Sequence, residues 1–128
     1  MEVPILKQGN FLIATVQAAL TDADLLHFRT ALIQTVVRCR SRGVIVDVTS
    51  LDVMDSFASR TLREIAQMIR LRGAETVIVG IQPEVAFAMV QLGLKLEDVA
   101  TALDLEEGLA HLQRKPESTA EELSIRGK

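Results

Sequence analysis

The sequence predicts an α/β fold in which a small mixed sheet of four to five strands is flanked by about four helices. Two runs, 43–49 and 76–81, are almost entirely apolar and β-branched, as is typical of parallel strands that are buried on both faces. Between them, apolar residues recur at helical spacing over residues 56–71. A strand, a helix and a second strand in this order form a right-handed βαβ unit, which places the chain in the α/β class.

The N-terminal segment predicts a hairpin that adds an antiparallel edge to this sheet. Residues 3–7 are predicted to form a short strand, which Pro4 restricts to an edge or to a strand start. Residues 8–10 contain the Gly and Asn that turns favour. The strand that follows has apolar residues at alternate positions, which predicts that one of its faces is buried. These alternating residues are Leu12, Ala14, Val16 and Ala18.

Start and stop signals predict three more helices. The first begins at the N-cap Thr21 and ends at Gly43, since glycine readily adopts the left-handed conformation that follows a helix. Another begins at Pro83, whose fixed φ suits the first helical position, and ends at Gly93. Asp104 is a suitable cap for the last one.

The last helix contains Gly108, which costs about 1 kcal/mol relative to alanine inside a helix. Together, the predicted strands and helices indicate that residues 1–115 form a single domain. Residues 116–128 have few apolar groups and mixed charge, which predicts a mobile C-terminal tail.

Composition and charge argue against several classes of function. The chain has 128 residues, 48% of them apolar, which is enough for one domain to bury a core. Its net charge of −3 and its lack of Trp and Tyr argue against a nucleic-acid partner, because such partners need basic surfaces and stacking rings. There is no Gly-rich phosphate loop and no Cys/His cluster, so we expect no cofactor and no metal.

The sequence also lacks the features of a membrane or secreted protein. No apolar run approaches the roughly 20 residues of a transmembrane helix. The first ten residues have no basic region followed by a long apolar core, so we expect no signal peptide. The expectation is a cytoplasmic protein without a membrane partner.

The loop over residues 49–57 is the candidate functional site. It leaves the carboxyl end of a buried parallel strand, where α/β folds place their sites. Ser56 lies at the N-cap or at the first helical position, depending on whether Asp55 is the cap. Helix starts have unpaired N–H groups that attract anions such as phosphate. The alternative interpretation, which the pattern alone favours, is that Asp55 and Ser56 only cap a helix. Phe57 is either an exposed contact for a partner or part of the core.

Three segments, 44–56, 80–85 and 92–93, carry a resemblance to a known family. Through them, nearly the whole of residues 3–115 resembles a STAS domain, the fold of the bacterial anti-anti-sigma factors. The resemblance implies that the serine after Asp55 is the regulatory phosphorylation site, namely Ser56. It also implies a partner-binding surface, which consists of Asp52, Asp55, Ser56 and Phe57.

One departure from the widespread family pattern narrows the resemblance. That pattern continues Asp-Ser-Ser-Gly-Leu, whereas residues 55–59 here are Asp-Ser-Phe-Ala-Ser. Together with residues 80–83 and 101–108, this departure is similar to the RsbS-type stressosome scaffolds. The resemblance implies a non-enzymatic subunit that forms homo- and hetero-oligomers with sensor paralogues of the RsbR type. It further implies that the assembly sequesters a serine kinase of the RsbT type until Ser56 is phosphorylated, and that a serine phosphatase reverses this step.

Two other functions remain open at the level of the sequence. A free anti-anti-sigma factor shares the phosphorylation site but binds one kinase and stays small. A small enzyme could instead use the acidic loop around Asp47, Asp52 and Asp55, with or without a metal. Ser59 is the alternative phosphorylation site, because it lies one helical turn beyond Ser56.

Overall fold

A computed structural model describes residues 3–17, 20–93 and 99–114. Within these ranges the chain forms five strands and four helices, so the predicted α/β fold with a mixed sheet is confirmed. The strands are β1 (Ile5–Gln8), β2 (Phe11–Thr15), β3 (Gly43–Asp47), β4 (Glu75–Val79) and β5 (Ala100–Ala102). The helices are α1 (Asp22–Cys39), α2 (Ser56–Leu71), α3 (Pro83–Gln91) and α4, which covers residues 105–114. The predicted tail, 116–128, lies outside the described residues.

The sheet has the strand order β1-β2-β3-β4-β5. The pair β1–β2 is antiparallel, as the predicted hairpin requires, and the three other pairs are parallel. The four parallel strands therefore end at one edge of the sheet, which we call the carboxyl edge. Each helix follows a parallel strand and begins at that edge. The topology thus brings four helix N-termini to the same end of the domain.

The helices divide between the two faces of the sheet. On one face, α1, α2 and α3 pack on the larger core cluster, which contains Leu32, Ile65 and Val85. On the other face, α4 packs through Leu112 against Ile45 and other residues of β3 and β4. Because helices cover both faces, the central strands are buried on both sides, as the sequence predicts for β3 and β4.

The structure corrects the prediction for β2. Ile13 is buried as well as Leu12 and Ala14, so this strand is not half-buried. The reason is that β2 lies between β1 and β3, and that Ile13 belongs to the cluster beneath α4. Ala18, which completed the predicted alternation, lies outside the described residues.

Two glycines have roles that differ from the predicted ones. Helix α1 ends at Cys39, and the left-handed residue that follows it is Arg40, with φ 49°, rather than Gly43. Gly43 instead begins β3, where a Cβ atom would lie 2.8 Å from the Leu112 side chain. Gly108 likewise allows α4 to approach the sheet, because a Cβ atom there would lie 2.8 Å from Cγ1 of Val79. Gly108 therefore weakens the helix propensity of α4 but permits α4 to pack closely on the sheet.

Candidate functional site

The loop between β3 and α2 is held at the carboxyl edge by two apolar anchors. Met54 is 5% exposed and belongs to the larger core cluster, and Leu51 packs partly against the same cluster. Between them, Asp52 and Val53 are exposed to solvent. A turn in which the Leu51 N–H donates to the Val48 carbonyl, at 2.9 Å, folds the start of the loop. The loop thus presents a short exposed segment immediately before α2.

The start of α2 answers the question of which residue is the cap. Asp55 is the N-cap, and its carboxylate accepts a hydrogen bond from the Ala58 N–H at 2.8 Å. Ser56 is the first residue of the helix, and it is exposed. Its hydroxyl makes no hydrogen bond within the described part of the chain. The capping interpretation therefore applies to Asp55, and the hydroxyl of Ser56 is available to a partner.

The two serines of this helix have opposite environments. Ser59 is 3% exposed, and its hydroxyl donates to the Asp55 carbonyl at 2.9 Å. It faces the protein interior rather than the helix surface on which the sequence places it beside Ser56. Phe57 is partly buried, so it combines some packing against the protein with some exposure beside Ser56.

A second loop, between β4 and α3, is hydrogen-bonded to the β3–α2 loop and packs closely against it. The Asp47 carboxylate accepts hydrogen bonds from the N–H and the hydroxyl of Thr49, at 2.9 and 2.6 Å. The side-chain amide of Gln82 donates to the Thr49 carbonyl. Gly80, with φ +77°, lies so close that a Cβ atom there would be 2.0 Å from the Thr49 hydroxyl oxygen. We call these four residues, Asp47, Thr49, Gly80 and Gln82, the loop latch.

The sequence places Thr49 in the candidate loop 49–57 without giving it a role, and it does not assign Gln82 to the site. The sequence nevertheless marks both positions: Thr49 follows the strand β3, and Gln82 lies in the segment 80–85 that carries the family resemblance. Gln82 is also the N-cap of α3, yet its side chain makes no capping hydrogen bond. Glutamine is a poor cap, and this side chain serves the neighbouring loop instead.

Several carboxylates lie in segments at the carboxyl edge, where α2 also begins with Ser56. Asp52, Asp55 and Glu84 are exposed, and each belongs to a segment that enters α2 or α3. At the start of α1, the Thr21 N–H donates to the Asp24 carboxylate and the Asp24 N–H donates to the Thr21 hydroxyl, each at 3.0 Å, which forms a capping box. The bond from the Thr21 N–H is the largest of the effects that lower the pKa of the Asp24 carboxyl to about 2. The helix N-termini offset part of this negative charge.

In the described ranges no histidine is hydrogen-bonded to the Ser56 hydroxyl. His111 lies near the end of α4, where its Nε2 is 3.0 Å from the Glu75 carboxylate at the opposite edge of the sheet. Residues 3–17, 20–93 and 99–114 contain no group of three or more His, Cys, Asp or Glu side chains that could hold a metal ion. None of the helices described there is both long and apolar enough to span a bilayer.

The fold agrees with a comparison against protein-family models. The model of the STAS domain matches residues 2–108. The chain belongs to the STAS domain family. The resemblance seen in segments 44–56, 80–85 and 92–93 is thereby confirmed.

Curated relatives of the chain include proteins of the RsbR group. The "RsbT co-antagonist protein RsbRA" of Bacillus subtilis is 35% identical over 78 residues, which are 61% of this chain and 28% of RsbRA. RsbRD of the same organism is 28% identical over 93 residues, which are 70% of this chain and 34% of RsbRD. The chain thus spans about a third of the length of these relatives.

Solved structures include similar chains of nearly the same length. A serine-to-glutamate variant of Moorella thermoacetica RsbS is 33% identical with a TM-score of 0.79, over 88% of this chain and 95% of that one. A chain from the structure titled "Molecular architecture of the stressosome, a signal integration and transduction hub" is 34% identical with a TM-score of 0.75, over 87% and 96%. These likenesses support an RsbS-type STAS protein. The anti-sigma factor antagonist SpoIIAA, at 12% identity and a TM-score of 0.66, shares the fold.

Proposed function

We propose that this STAS protein is a non-enzymatic subunit of a stress-signalling assembly that sequesters an RsbT-like serine kinase. In this proposal the kinase phosphorylates Ser56, and the phosphate releases the kinase. The similarity to RsbS, to the stressosome chain and to the RsbT co-antagonist RsbRA supports the signalling role. The observation that carries the proposal is the exposed hydroxyl of Ser56 at the first position of α2, which makes no hydrogen bond to any residue that the structure describes.

Accessibility favours Ser56 over Ser59 as the modified residue. A kinase must bring the γ-phosphate of ATP in line with the acceptor oxygen, which requires an approach from solvent. The Ser59 hydroxyl is buried, and its proton is already donated to the Asp55 carbonyl. Modification of Ser59 would require the first turn of α2 to open, whereas Ser56 needs no rearrangement.

Charge supplies a mechanism for release. A phosphate adds about −1.5 to −2 charges. It would lie next to Asp55 in the chain, on an exposed loop that already carries Asp52. The N-terminus of α2 stabilises such a charge by only about 0.3–1 kcal/mol when exposed. A kinase surface that complements the unmodified, uncharged hydroxyl would then face an added anion that it does not pair, which weakens the contact.

The site of phosphorylation is tested by incubating the protein with its cognate kinase and ATP and mapping the modified residue by mass spectrometry. We expect one phosphate on Ser56 in the wild type and in Ser59→Ala, and none in Ser56→Ala. Ser59→Ala is the matched control, because it removes a hydroxyl one turn away. Label that persists on the Ser56→Ala protein would contradict the assignment.

The release mechanism is tested by measuring kinase affinity without ATP. Ser56→Ala should bind the kinase as the wild type does, and Ser56→Asp should bind it more weakly, because it adds charge beside Asp52 and Asp55. Gln67→Glu is a control that adds one negative charge to an exposed position farther along α2. Equal affinities for the wild type, the Ala form and the Asp form would argue against a charge mechanism.

The proposal also includes partners for assembly. An RsbR-type STAS protein is the expected partner in a hetero-oligomer, and a serine phosphatase is the expected antagonist of the kinase. Light scattering on the mixture with an RsbR-type protein distinguishes a large particle from a free anti-anti-sigma factor. A chain that stays a monomer or dimer in that mixture would favour the free factor.

A further inference from the structure

We propose that Thr49 and Gln82 are positioning residues, which hold the β3–α2 loop in the conformation that presents Ser56 to the kinase. This inference rests on the proposed function and adds a determinant of how readily the site is recognised. It concerns two residues that do not touch the acceptor hydroxyl and that lie 33 positions apart in the sequence. Their contact joins the loop that contains Asp52 and Asp55 to the first residue before α3.

The first step of the argument is that the loop latch fixes the start of the β3–α2 loop from three directions. Asp47, the last residue of β3, holds both the N–H and the hydroxyl of Thr49. Gln82 holds the Thr49 carbonyl from the neighbouring loop. The Val48 N–H donates to the Val79 carbonyl at 3.0 Å, which continues the sheet one residue beyond β3. The backbone on both sides of Thr49 is therefore anchored to the sheet or to α3.

The second step is that local structure does not require these contacts. The side chain of an N-cap residue normally accepts a hydrogen bond from its own helix, but Gln82 makes no such bond. Gly80 removes the side chain that would prevent the two loops from approaching, since a Cβ atom would lie 3.2 Å from Cα of Thr49. The sequence thus provides both an amide that reaches across and a glycine that allows the approach.

The third step connects the latch to Ser56. Only Ser50, Leu51 and the segment 52–55 separate Thr49 from the helix start, and Leu51 and Met54 are anchored in the core. The exposed part of the loop, which includes the proposed kinase contact Asp52, is therefore held at both ends. When the latch opens, the polar contacts that fix Thr49 are lost while Leu51 and Met54 stay packed on the core, so the competent loop conformation becomes a smaller fraction of the population. The apparent affinity of a partner that needs this conformation falls by the same fraction.

The experiment measures steady-state phosphorylation of the full chain by the cognate kinase, with the protein as the varied substrate. Gln82→Ala removes the amide, and Thr49→Val removes the hydroxyl while keeping the side-chain shape. We expect each substitution to raise KM about fivefold, because the loss of one hydrogen bond changes an equilibrium by roughly this factor. The value of kcat should change little. Thr49→Ser keeps the hydroxyl and should restore the wild-type KM. Kinase affinity measured without ATP should change by the same factors.

Matched controls separate positioning from a general loss of structure. Gln91→Ala removes an exposed glutamine at the other end of α3, and Thr30→Val removes a hydroxyl from the surface of α1. Both should leave KM unchanged. Hydrogen exchange should show faster exchange of the amides of residues 50–55 in Gln82→Ala than in Gln91→Ala, without a change across the sheet.

The possible outcomes distinguish this inference from the proposed function. A wild-type protein that is phosphorylated on Ser56, with unchanged KM in Gln82→Ala and Thr49→Val, would overturn the positioning role and leave the function intact. A lower kcat at unchanged KM would also overturn it, because the latch would then act on the transfer step. A wild-type protein that the kinase neither binds nor modifies would refute the proposed function, and the positioning role with it.

Discussion

Replacing Gly108 by alanine tests whether the glycine in α4 is a weakness of the helix or a requirement of the packing. Helix propensity alone predicts that Gly108→Ala stabilises the protein by about 1 kcal/mol. The structure predicts the opposite sign, because the new Cβ atom would lie 2.8 Å from Cγ1 of Val79, a residue that is 1% exposed. A β-branched side chain in a central strand has no room to turn away. Overpacking of this kind costs about 1–3 kcal/mol.

The two effects leave a net loss of about 0–2 kcal/mol in the free energy of unfolding. For a domain of this size, a loss near 1 kcal/mol lowers Tm by about 4 °C. Urea unfolding and calorimetry measure both quantities. Ala110→Gly, at an exposed position of the same helix, is the control for propensity and should lose about 1 kcal/mol.

A double-mutant cycle with Val79→Ala removes the ambiguity of a small net effect. In the Val79→Ala background the clashing methyl group is absent, so Gly108→Ala should be less destabilising than in the wild type. We expect a coupling energy of at least about 0.5 kcal/mol in that direction. A Tm that rises by about 4 °C in Gly108→Ala, or a cycle without coupling, would refute the packing argument.

Two further predictions concern helix starts at the carboxyl edge. Asp55→Ala should lower the free energy of unfolding by about 1 kcal/mol, since the Ala58 N–H loses its partner, whereas Asp55→Asn should retain most of the stability in urea unfolding. The hydrogen bond from the Thr21 N–H is the largest of several effects that lower the pKa of Asp24 from 3.8 to about 2, so the stability that this carboxylate contributes is present above the unfolded-state pKa of 3.8 and is lost as the pH falls through about 2. An NMR titration should place the Asp24 midpoint near 2, and Asp24→Asn should remove this part of the acid dependence of unfolding.

The elements that the sequence predicts well are those whose signal is local. The β-branched runs of β3 and β4 and the apolar stripe of α2 each follow from residues that are neighbours along the chain. The start of α2 near Asp55 and Ser56 follows from the same kind of signal, whereas the choice of Asp55 as the cap comes from the structure. The position of the candidate site at the end of β3 was therefore predictable before any tertiary contact was known.

The features that the sequence does not predict depend on tertiary contacts. Gly43 looks like a helix terminator, but Arg40 takes the left-handed conformation, and Gly43 makes room for Leu112, which lies 69 positions away in the sequence. The burial of Ser59 has the same origin, because the face that α2 turns towards the sheet decides which serine is exposed. The contact of Gln82 with Thr49 required knowing that the loops after β3 and β4 are adjacent.

A last prediction separates assembly from kinase capture. Ser56 lies at the carboxyl edge, while several large exposed apolar side chains lie elsewhere: Leu6 on β1, Leu71 at the end of α2, and Phe87 and Val90 on α3. If such surfaces form the contacts between subunits, a charge at Ser56 should leave those contacts intact. The Ser56→Asp protein should therefore form a particle of wild-type size with an RsbR-type partner, measured by size-exclusion chromatography with light scattering, and this particle should retain less kinase. Salt screens an exposed charge over about 8–10 Å, so a charge at Ser56 acts mainly on contacts near the carboxyl edge. A particle that dissociates when Ser56 is phosphorylated or replaced by Asp would therefore show that the subunit contacts include this edge and that Ser56 controls assembly.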